Sequence, residues 1–310
     1  MQPRRGRGAT VSETASSNDG SSAGRPSKLP PGLYLVATPI GNLRDITLRA
    51  LDVLADADVV ACEDTRRSGR LLQAHGISTH LTPYHEHNAR RALPSLLARL
   101  TGGEAVALIS DAGTPLISDP GYRLVAEAAA AGVSVIPIPG PSSVLAALTA
   151  SGLPTDRFFY AGFPPAKAGA RRAFFAGLAE VSATLVLLES PRRLAATCTA
   201  LVEALGDRQA ALARELTKLH ETMLREPLSK LASRFADAPP KGETVLVIAP
   251  PENAGVTTDA GEVDARLRKA LTNASASDAA AKVAATTGLP RRQLYARAVT
   301  LRRQGDSAEP

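Results

Sequence analysis

The stretch Leu33-Tyr34-Leu35-Val36-Ala37-Thr38-Pro39-Ile40-Gly41-Asn42-Leu43 is an apolar run that passes directly into a Pro/Gly turn carrying little side-chain bulk. A short apolar run closed by a turn signal reads as a buried strand. In an open α/β sheet the carboxyl ends of the strands form the ligand crevice, so a turn of this composition lets backbone groups approach a ligand. A tight structural turn has the same composition.

The pattern repeats outward from this stretch. Apolar runs at 59–62, 105–109 and 133–138 alternate with helical patterns at 48–57, 69–74 and 122–131, which predicts an α/β domain with a largely parallel sheet. Two further runs end in loops of small residues. Ile109 leads into Ser110-Asp111-Ala112-Gly113-Thr114-Pro115-Leu116-Ile117-Ser118-Asp119-Pro120-Gly121, and the run at 133–138 leads into Pro139-Gly140-Pro141-Ser142-Ser143. Small residues permit close backbone approach, Asp111 can accept hydrogen bonds from a ligand, and Ser142 or Ser143 can cap the next helix or bind a ligand. A loop as long as the second is uncommon as mere punctuation. Three such loops on one sheet edge favour a small-molecule site.

An Ala-rich segment at 144–150 ends at Ser151-Gly152-Leu153-Pro154, which marks a boundary between an N-terminal α/β domain (31–150) and a second one (151–250). The second is predicted to hold strands at 158–161, 184–188, 210–214 and 244–249, with helices starting near Arg171, Pro191 and Pro227. Both prolines suit a first helical position, where the missing N–H costs nothing. After Pro250-Pro251 the strand pattern stops. Helices are expected at 263–271, 277–286 and 290–302, within a helical appendage over 260–304, with Ser277 as an N-cap, Gly288 as a stop and Leu294, Ala298 and Leu301 as an apolar stripe. Residues 1–30 are rich in Gly, Ser, Arg and Pro and lack large apolar groups, so they are expected to be disordered.

Charge is distributed unevenly. The net charge is +6, and residues 261–303 alone carry nine Lys/Arg against three acids, while the body from 31 to 260 is near neutral. Basic flanks on a neutral body suit a polyanionic partner, and equally suit a soluble helical tail. With 44% hydrophobic and 21% charged residues the chain is globular, and no apolar run is long enough to cross a bilayer, so no membrane role is expected. The basic start is followed by no apolar run, so no secretory signal is expected, and two cysteines, Cys62 and Cys198, suit a reducing cytoplasm.

Six strings taken in order make the reading specific: Leu-Val-Ala-Thr-Pro-Ile-Gly-Asn-Leu at 35–43, Cys62-Glu63-Asp64-Thr65-Arg66, Ser110 to Gly121, Pro139 to Ser143, Arg214-Glu215-Leu216-Thr217-Lys218 and Lys241-Gly242-Glu243. Together they resemble the 16S rRNA (cytidine-2′-O-)-methyltransferases of the tetrapyrrole-methylase superfamily, from about Leu33 to Pro250. Ser277-Asp278-Ala279-Ala280 and Leu294-Tyr295 resemble that family's C-terminal helical segment. The resemblance implies two α/β domains, S-adenosylmethionine in the cleft between them, a 16S rRNA or small-subunit substrate, and a homodimer. It places the cofactor against Pro39, Ile40 and Gly41, against Asp111, Ala112, Gly113 and Thr114, and against Ser142, Ser143 and Leu188. One departure stands out: Leu188-Glu189-Ser190-Pro191-Arg192-Arg193 occupies the place of an aromatic residue followed by Glu-Ala-Pro-His-Arg. A Gly-x-Gly-x-Gly turn after the first strand is absent.

Methyl transfer to a ribose hydroxyl is an in-line displacement that depends on alignment, helped by a base or by a cation that stabilises developing alkoxide. The candidates are Glu63, Asp64, His85, Lys218 and Glu221, with Lys218 and Asp64 the preferred pair; each is also readable as a surface ion pair or helix cap. Arg66 and Arg67 after the acidic pair, and Arg291, Arg292 and Arg297 in the last helix, are the candidate RNA contacts; solvated helix faces would read alike. His85 and His87 sit two apart, which suits a strand face, but methyl transfer needs no metal and none is expected. Two other readings remain: a methyltransferase of tetrapyrrole-like acids whose helical tail dimerises, and a non-catalytic RNA-binding module, which leaves the three loops unexplained.

Overall fold

The computed structural model describes residues 29–251, 260–287 and 289–306. The disorder expected over residues 1–28 and the stop expected at Gly288 fall outside these residues. Leu29 and Pro30, expected within the disordered tail, are described: Leu29 packs against the first core and the Pro30 carbonyl accepts a 2.7 Å hydrogen bond from the Tyr34 hydroxyl.

The first sheet comprises β1 (Gly32–Val36), β2 (Val59–Cys62), β3 (Leu81–Pro83), β4 (Ala105–Ile109) and β5 (Val135–Ile138), in the order β3-β2-β4-β1-β5 and parallel throughout. The central strands are buried on both faces, as their uninterrupted apolar runs require. Both strand prolines, Pro83 and Pro137, fall on the two edge strands, where a missing N–H breaks no interior ladder. One face packs against α1 (Leu48–Asp56) and α2 (Thr65–Ala74), through Val53, Leu54 and Leu72. The other packs against α3 (Ala89–Thr101) and α4 (Tyr122–Ala130), through Leu96, Leu100 and Leu124.

α5 (Ser143–Ala150) follows the first sheet in sequence but packs on the second, with Val144, Ala147 and Leu148 against Val186, Ala211 and Val245. The second sheet comprises β6 (Phe158–Gly162), β7 (Thr184–Glu189), β8 (Gln209–Arg214), β9 (Thr222–Pro227) and β10 (Thr244–Ile248), in the order β6-β7-β10-β8-β9. Only β6 and β7 are parallel; the other pairs are antiparallel. Its far face is covered by α6 (Ala168–Ala176), α7 (Leu194–Leu205) and α8 (Leu228–Arg234), through Phe175, Leu201 and Leu231. Pro191 opens a single 3-10 turn before α7, whereas Pro227 stands at the N-cap of α8, one residue before the expected position, because it also ends β9.

A separate core forms where α9 (Ala260–Leu271), α10 (Ala276–Thr287) and α11 (Arg291–Asp306) meet, and the expected stripe of Leu294, Ala298 and Leu301 is buried in it. The cap of α10 is Ser275 and not Ser277: the Asp278 amide donates to Ser275 Oγ at 3.2 Å, and Ser275 donates to the Asp278 carboxylate at 2.7 Å. Ser277 instead accepts a hydrogen bond from Arg291. His85 and His87 do not share a strand face. They lie in the turn between β3 and α3, where Asn88 Oδ1 accepts from the His85 amide and fixes the turn, and their rings meet edge to face at 6.1 Å.

Candidate functional site

The three small-residue loops of the first domain meet. Thr38 and Gly113 exchange backbone hydrogen bonds of 2.9 Å in both directions, tying the β1 turn to the β4 loop, and Thr38 Oγ1 donates to the Ser110 carbonyl. Thr114 Oγ1 donates to the Pro141 carbonyl at 3.1 Å, tying the β4 loop to the β5 loop. Gly113 has φ +82°, in the left-handed region where a side chain is strained. Leu116 (φ 72°) and Ser118 (φ 65°) hold the same region without being glycine. Such strain persists only where the surroundings impose it, commonly around functional loops.

A cleft of about 330 Å³ opens between these loops and the second sheet, within the size range of small-molecule sites, roughly 300–1,000 Å³. The first domain and α5 contribute Ile40, Ala112 and Ser143; the second sheet contributes the end of β7 from Leu188 to Pro191, Ala213 and Leu216 of β8 and its loop, and the start of β10 from Gly242 to Val245. Of the expected cofactor residues, Ile40, Ala112, Ser143 and Leu188 therefore line one space. The others support it. Ser142 caps α5 by accepting from the Leu145 amide, and Asp111 accepts from the Asp64 amide while pairing with Arg67 at 3.1 Å. Pro39, Gly113 and Thr114 belong to the hydrogen-bonded loops that carry Ile40 and Ala112.

Gly41 answers to packing. A Cβ there would stand 2.5 Å from Lys218 Cγ and 2.8 Å from Thr217 Oγ1, so only glycine lets the β1 turn lie against the loop after β8. The Asn42 amide donates to Thr217 Oγ1 across the same contact. That loop is itself strained, with Glu215 at φ 52° and Thr217 at φ 65°. It is stapled by Lys218, whose ammonium lies 3.0 Å from Glu215 and 3.2 Å from Glu243. Burial acts against the charged ammonium, but the bonds from Glu215 and Glu243 outweigh it and raise the Lys218 pKa, while the Glu243 amide and Lys218 hold Glu215 below the ordinary carboxylate range. Glu221 accepts from the Thr217 amide in the same loop.

None of the catalytic candidates lines the cleft itself: Lys218 and Glu221 lie in the loop after β8, beside the lining residue Leu216, whereas Glu63 and Asp64 follow β2 and His85 follows β3. Asp64 caps α2, accepting from the Arg66 amide at 2.8 Å and pairing with the Arg66 side chain. Glu63 is raised by burial and by Asp111, against the opposing fields of His85 and Arg67. Asp119 is pushed up to about 6 by burial, against a hydrogen bond from Ser110 and with Glu63 and Asp111 adding to the shift. Next to it in sequence, Ser118 Oγ meets the Tyr160 hydroxyl at 2.6 Å, joining the β4 loop to β6 of the second domain. Among the described residues no group of three metal-ligating side chains converges. In the helical unit, Arg297 is paired with Asp264, Arg291 bonds Ser277, and Arg292 is exposed.

Sequence reading missed Glu189 and Asp119. Glu189 has a side chain with no exposure, is paired with Arg193 at 2.6 Å, and accepts from Thr197 Oγ1 and the Ser190 amide, each at 2.6 Å. The available signal was a lone acid closing an apolar strand, four residues before an arginine. Asp119 lay in a loop already singled out, but its neighbours Glu63 and Tyr160 come from the residue after β2 and from β6, which no local pattern brings together.

The sequence model of the Tetrapyrrole (Corrin/Porphyrin) Methylases matches residues 32–232, and that of an RsmI C-terminal HTH domain matches residues 257–302. The chain is 55% identical over 276 residues to a ribosomal RNA small subunit methyltransferase I of Mesorhizobium japonicum, covering 88% of this chain and 93% of that one. It is 46% identical to the protein of the same name from Synechocystis, over 88% of this chain and 99% of that one. Among solved structures it is similar to the uroporphyrin-III-C-methyltransferase of Thermus thermophilus, with a TM-score of 0.52 and 25% identity over 71% of this chain and 94% of that one. A cobalt precorrin-4 methyltransferase shares the fold, with a TM-score of 0.54 at 18% identity over 70% of this chain and 94% of that one.

Proposed function

The chain belongs to the tetrapyrrole (corrin/porphyrin) methylases, and from that membership we propose that it transfers the methyl group of S-adenosylmethionine to a cytidine 2′-hydroxyl of the 16S rRNA of the small ribosomal subunit. The observation that carries this reading is the single cleft in which three first-domain loops face the ends of β7 and β10. Its walls fit the donor. Ile40, Leu188, Leu216 and Val245 offer apolar surface for a flat base, Ser143, Ser190 and Thr244 offer hydroxyls, and the Glu243 carboxylate, 79% exposed, complements a cationic ligand. When bound, S-adenosylmethionine supplies a methyl group activated by a positive sulfur.

Lys218 stays protonated under the influence of Glu215 and Glu243, so its proposed part is to stabilise negative charge on the ribose oxygen. It is not a base. Proton removal is assigned in this proposal to one of the carboxylates around Asp111, which accepts from the Asp64 amide and whose charge acts on Glu63 and Asp119. RNA is proposed to approach over Arg66 and Arg67, 87% and 67% exposed, and over the helical unit. A tetrapyrrole-like acid as the substrate is not favoured: the similarity to small-subunit rRNA methyltransferases extends over 88% of the chain. A homodimer is proposed on the resemblance, with the half-exposed Phe158 and Phe159 of edge strand β6 as apolar surface it would cover. No helix among the described residues is long and apolar enough to cross a membrane, and a cytoplasmic site of action is part of the same proposal.

The test is incubation of the protein with methyl-labelled S-adenosylmethionine and small subunits, followed by alkaline hydrolysis of the rRNA. A 2′-O-methyl group blocks cleavage at its own phosphodiester, so label is expected in an alkali-stable dinucleotide beginning with cytidine. Label recovered in mononucleotides would mean base methylation, and absence from RNA would refute the reading.

A further inference from the structure

The sequence points to arginines on α11 as the RNA contacts of the helical unit, but the structure gives two of them other work. Arg297 makes a two-nitrogen bond to Asp264 of α9, which is buried, and each partner shifts the other's pKa toward the charged form. Arg291 donates to Ser277 at the start of α10. Glu262, Asp264 and Asp278 are likewise occupied: Asp264 by Arg297, Glu262 by Arg266 at 2.6 Å, and Asp278 by the Ser275 cap.

An open groove of about 490 Å³ lies on another face, between the C-terminal halves of α9 and α10. Lys269 and Lys282 stand at it with Arg266, Asn273, Thr272 and Thr286, and no carboxylate lines it. Among the described residues neither lysine has an acidic partner, and the Asn273 side-chain amide donates to nothing. Such a set of donors, with no acid and no aromatic ring, suits oxygens carrying negative charge and offers nothing on which a base could stack. The only exposed large apolar side chain described in the unit, Tyr295, belongs to α11 and not to the groove, so no apolar surface there would enter a lipid layer.

We propose that the groove between α9 and α10 binds the phosphodiester backbone of the RNA substrate through Lys269 and Lys282, without reading its sequence. The inference rests on the RNA methyltransferase reading and specifies where the helical unit holds that RNA. Backbone contacts of this kind supply affinity and register, leaving choice of the target nucleotide to the cleft.

Fluorescence anisotropy of the full chain with a labelled fragment of small-subunit rRNA tests it. Lys269→Glu and Lys282→Glu are compared with Arg302→Glu, which makes the same charge change on an exposed site of α11 outside the groove. Each lysine variant is expected to bind roughly three- to tenfold more weakly and to lower the slope of log Kd against log salt by about 0.7–0.9. Arg302→Glu should leave the slope unchanged, and each lysine variant should lose the same factor on a scrambled RNA as on the native fragment. Unchanged circular dichroism and S-adenosylmethionine affinity verify that the variants fold. An equal loss for Arg302→Glu, a slope unaffected by the lysines, or lysine-dependent binding of the parent to phosphatidylglycerol vesicles would overturn the proposal. Methylation of small subunits by the parent is measured separately. If the parent fails to methylate them the function is wrong even where the groove binds RNA; if it methylates and the lysine variants keep the parent's RNA affinity, only the groove is wrong.

Discussion

Arg193 reaches back four residues, across the 3-10 turn that follows β7, to place its guanidinium 2.6 Å from the fully buried carboxylate of Glu189, in the wall of the cleft. The same arginine donates to the Pro164 carbonyl, so one side chain joins the end of β7 to the loop after β6. The pairing explains why a glutamate closes an otherwise apolar strand. The Cys198 thiol nearby is pushed up to about 12, by its own burial first and by the Glu189 charge second.

Removing one member of a buried pair leaves the other charge unsatisfied, at a cost of about 3–5 kcal/mol. Arg193→Met is therefore expected to lower unfolding stability by about 3 kcal/mol, a value at the low end because Arg193 is 28% exposed. Adding Glu189→Gln should recover part of that loss, since glutamine keeps an acceptor for Thr197. Urea titration of the four proteins of the cycle measures both quantities, and strict additivity would show that the pair is not coupled.

Gly41→Ala should loosen the contact between the β1 turn and the loop after β8. The new methyl group meets Lys218 Cγ, Thr217 Oγ1 and the Leu216 carbonyl, all within 3.0 Å, and the carbonyl cannot rotate away. Overpacking of this kind costs about 1–3 kcal/mol. Because Ile40 and Leu216 both line the cleft, calorimetry should show weaker S-adenosylmethionine binding. Full affinity would mean that the two loops part without disturbing the site.

Lys218→Ala tests the electrostatic role. Loss of one stabilising donor costs about a hundred- to a thousandfold in turnover when its field is uncompensated. Here two carboxylates lie within 3.2 Å of the ammonium, so much of that field is offset and the expected loss is nearer tenfold. Lys218→Arg should restore most of it. A change confined to the Michaelis constant for RNA would make Lys218 a phosphate anchor.

Asp119→Asn should stabilise the protein in a pH-dependent way. The folded-state value of about 6 lies above the ordinary 3.8, so the folded state holds the proton more tightly, and the parent loses stability as pH rises from about 4 to about 6. Asparagine has no such dependence. The advantage of the variant should grow across that window and then level off, at on the order of 2 kcal/mol. Denaturant midpoints at three pH values read it directly, and a constant difference would place the shift elsewhere.

The parts of the fold legible in the sequence were those where one run of residues decides the outcome. The buried strands β1, β2 and β4 announce themselves as unbroken apolar runs, and the α11 stripe by its spacing. β3, α3 and β9 do not. β3 is three residues long, α3 contains Pro94, and β9 is the partly exposed edge strand Thr-Met-Leu-Arg-Glu-Pro, whose pairing with β8 supplies what its composition lacks. The antiparallel character of most of the second sheet was invisible for the same reason, since direction is set by connections. In the site, loops of small residues could be recognised because close approach needs them. Glu189 with Arg193, and Asp119 beside Glu63, could not, because their meaning lies in burial and in neighbours from other strands.

The position of β10 has a consequence for how the molecule comes into being. Among the described residues it is the last strand made, yet it stands between β7 and β8, pairing with both. A nascent chain that has emerged only to Gly242 therefore holds two half-sheets, β6-β7 and β8-β9, each presenting an open apolar edge to the other and to whatever else is near. Such edges invite wrong partners. Closure of the second domain, and with it the cleft wall from Gly242 to Val245, must wait until Ile248 has left the exit tunnel, so a ribosome that stalls before that point releases a protein with one wall of its cleft unbuilt.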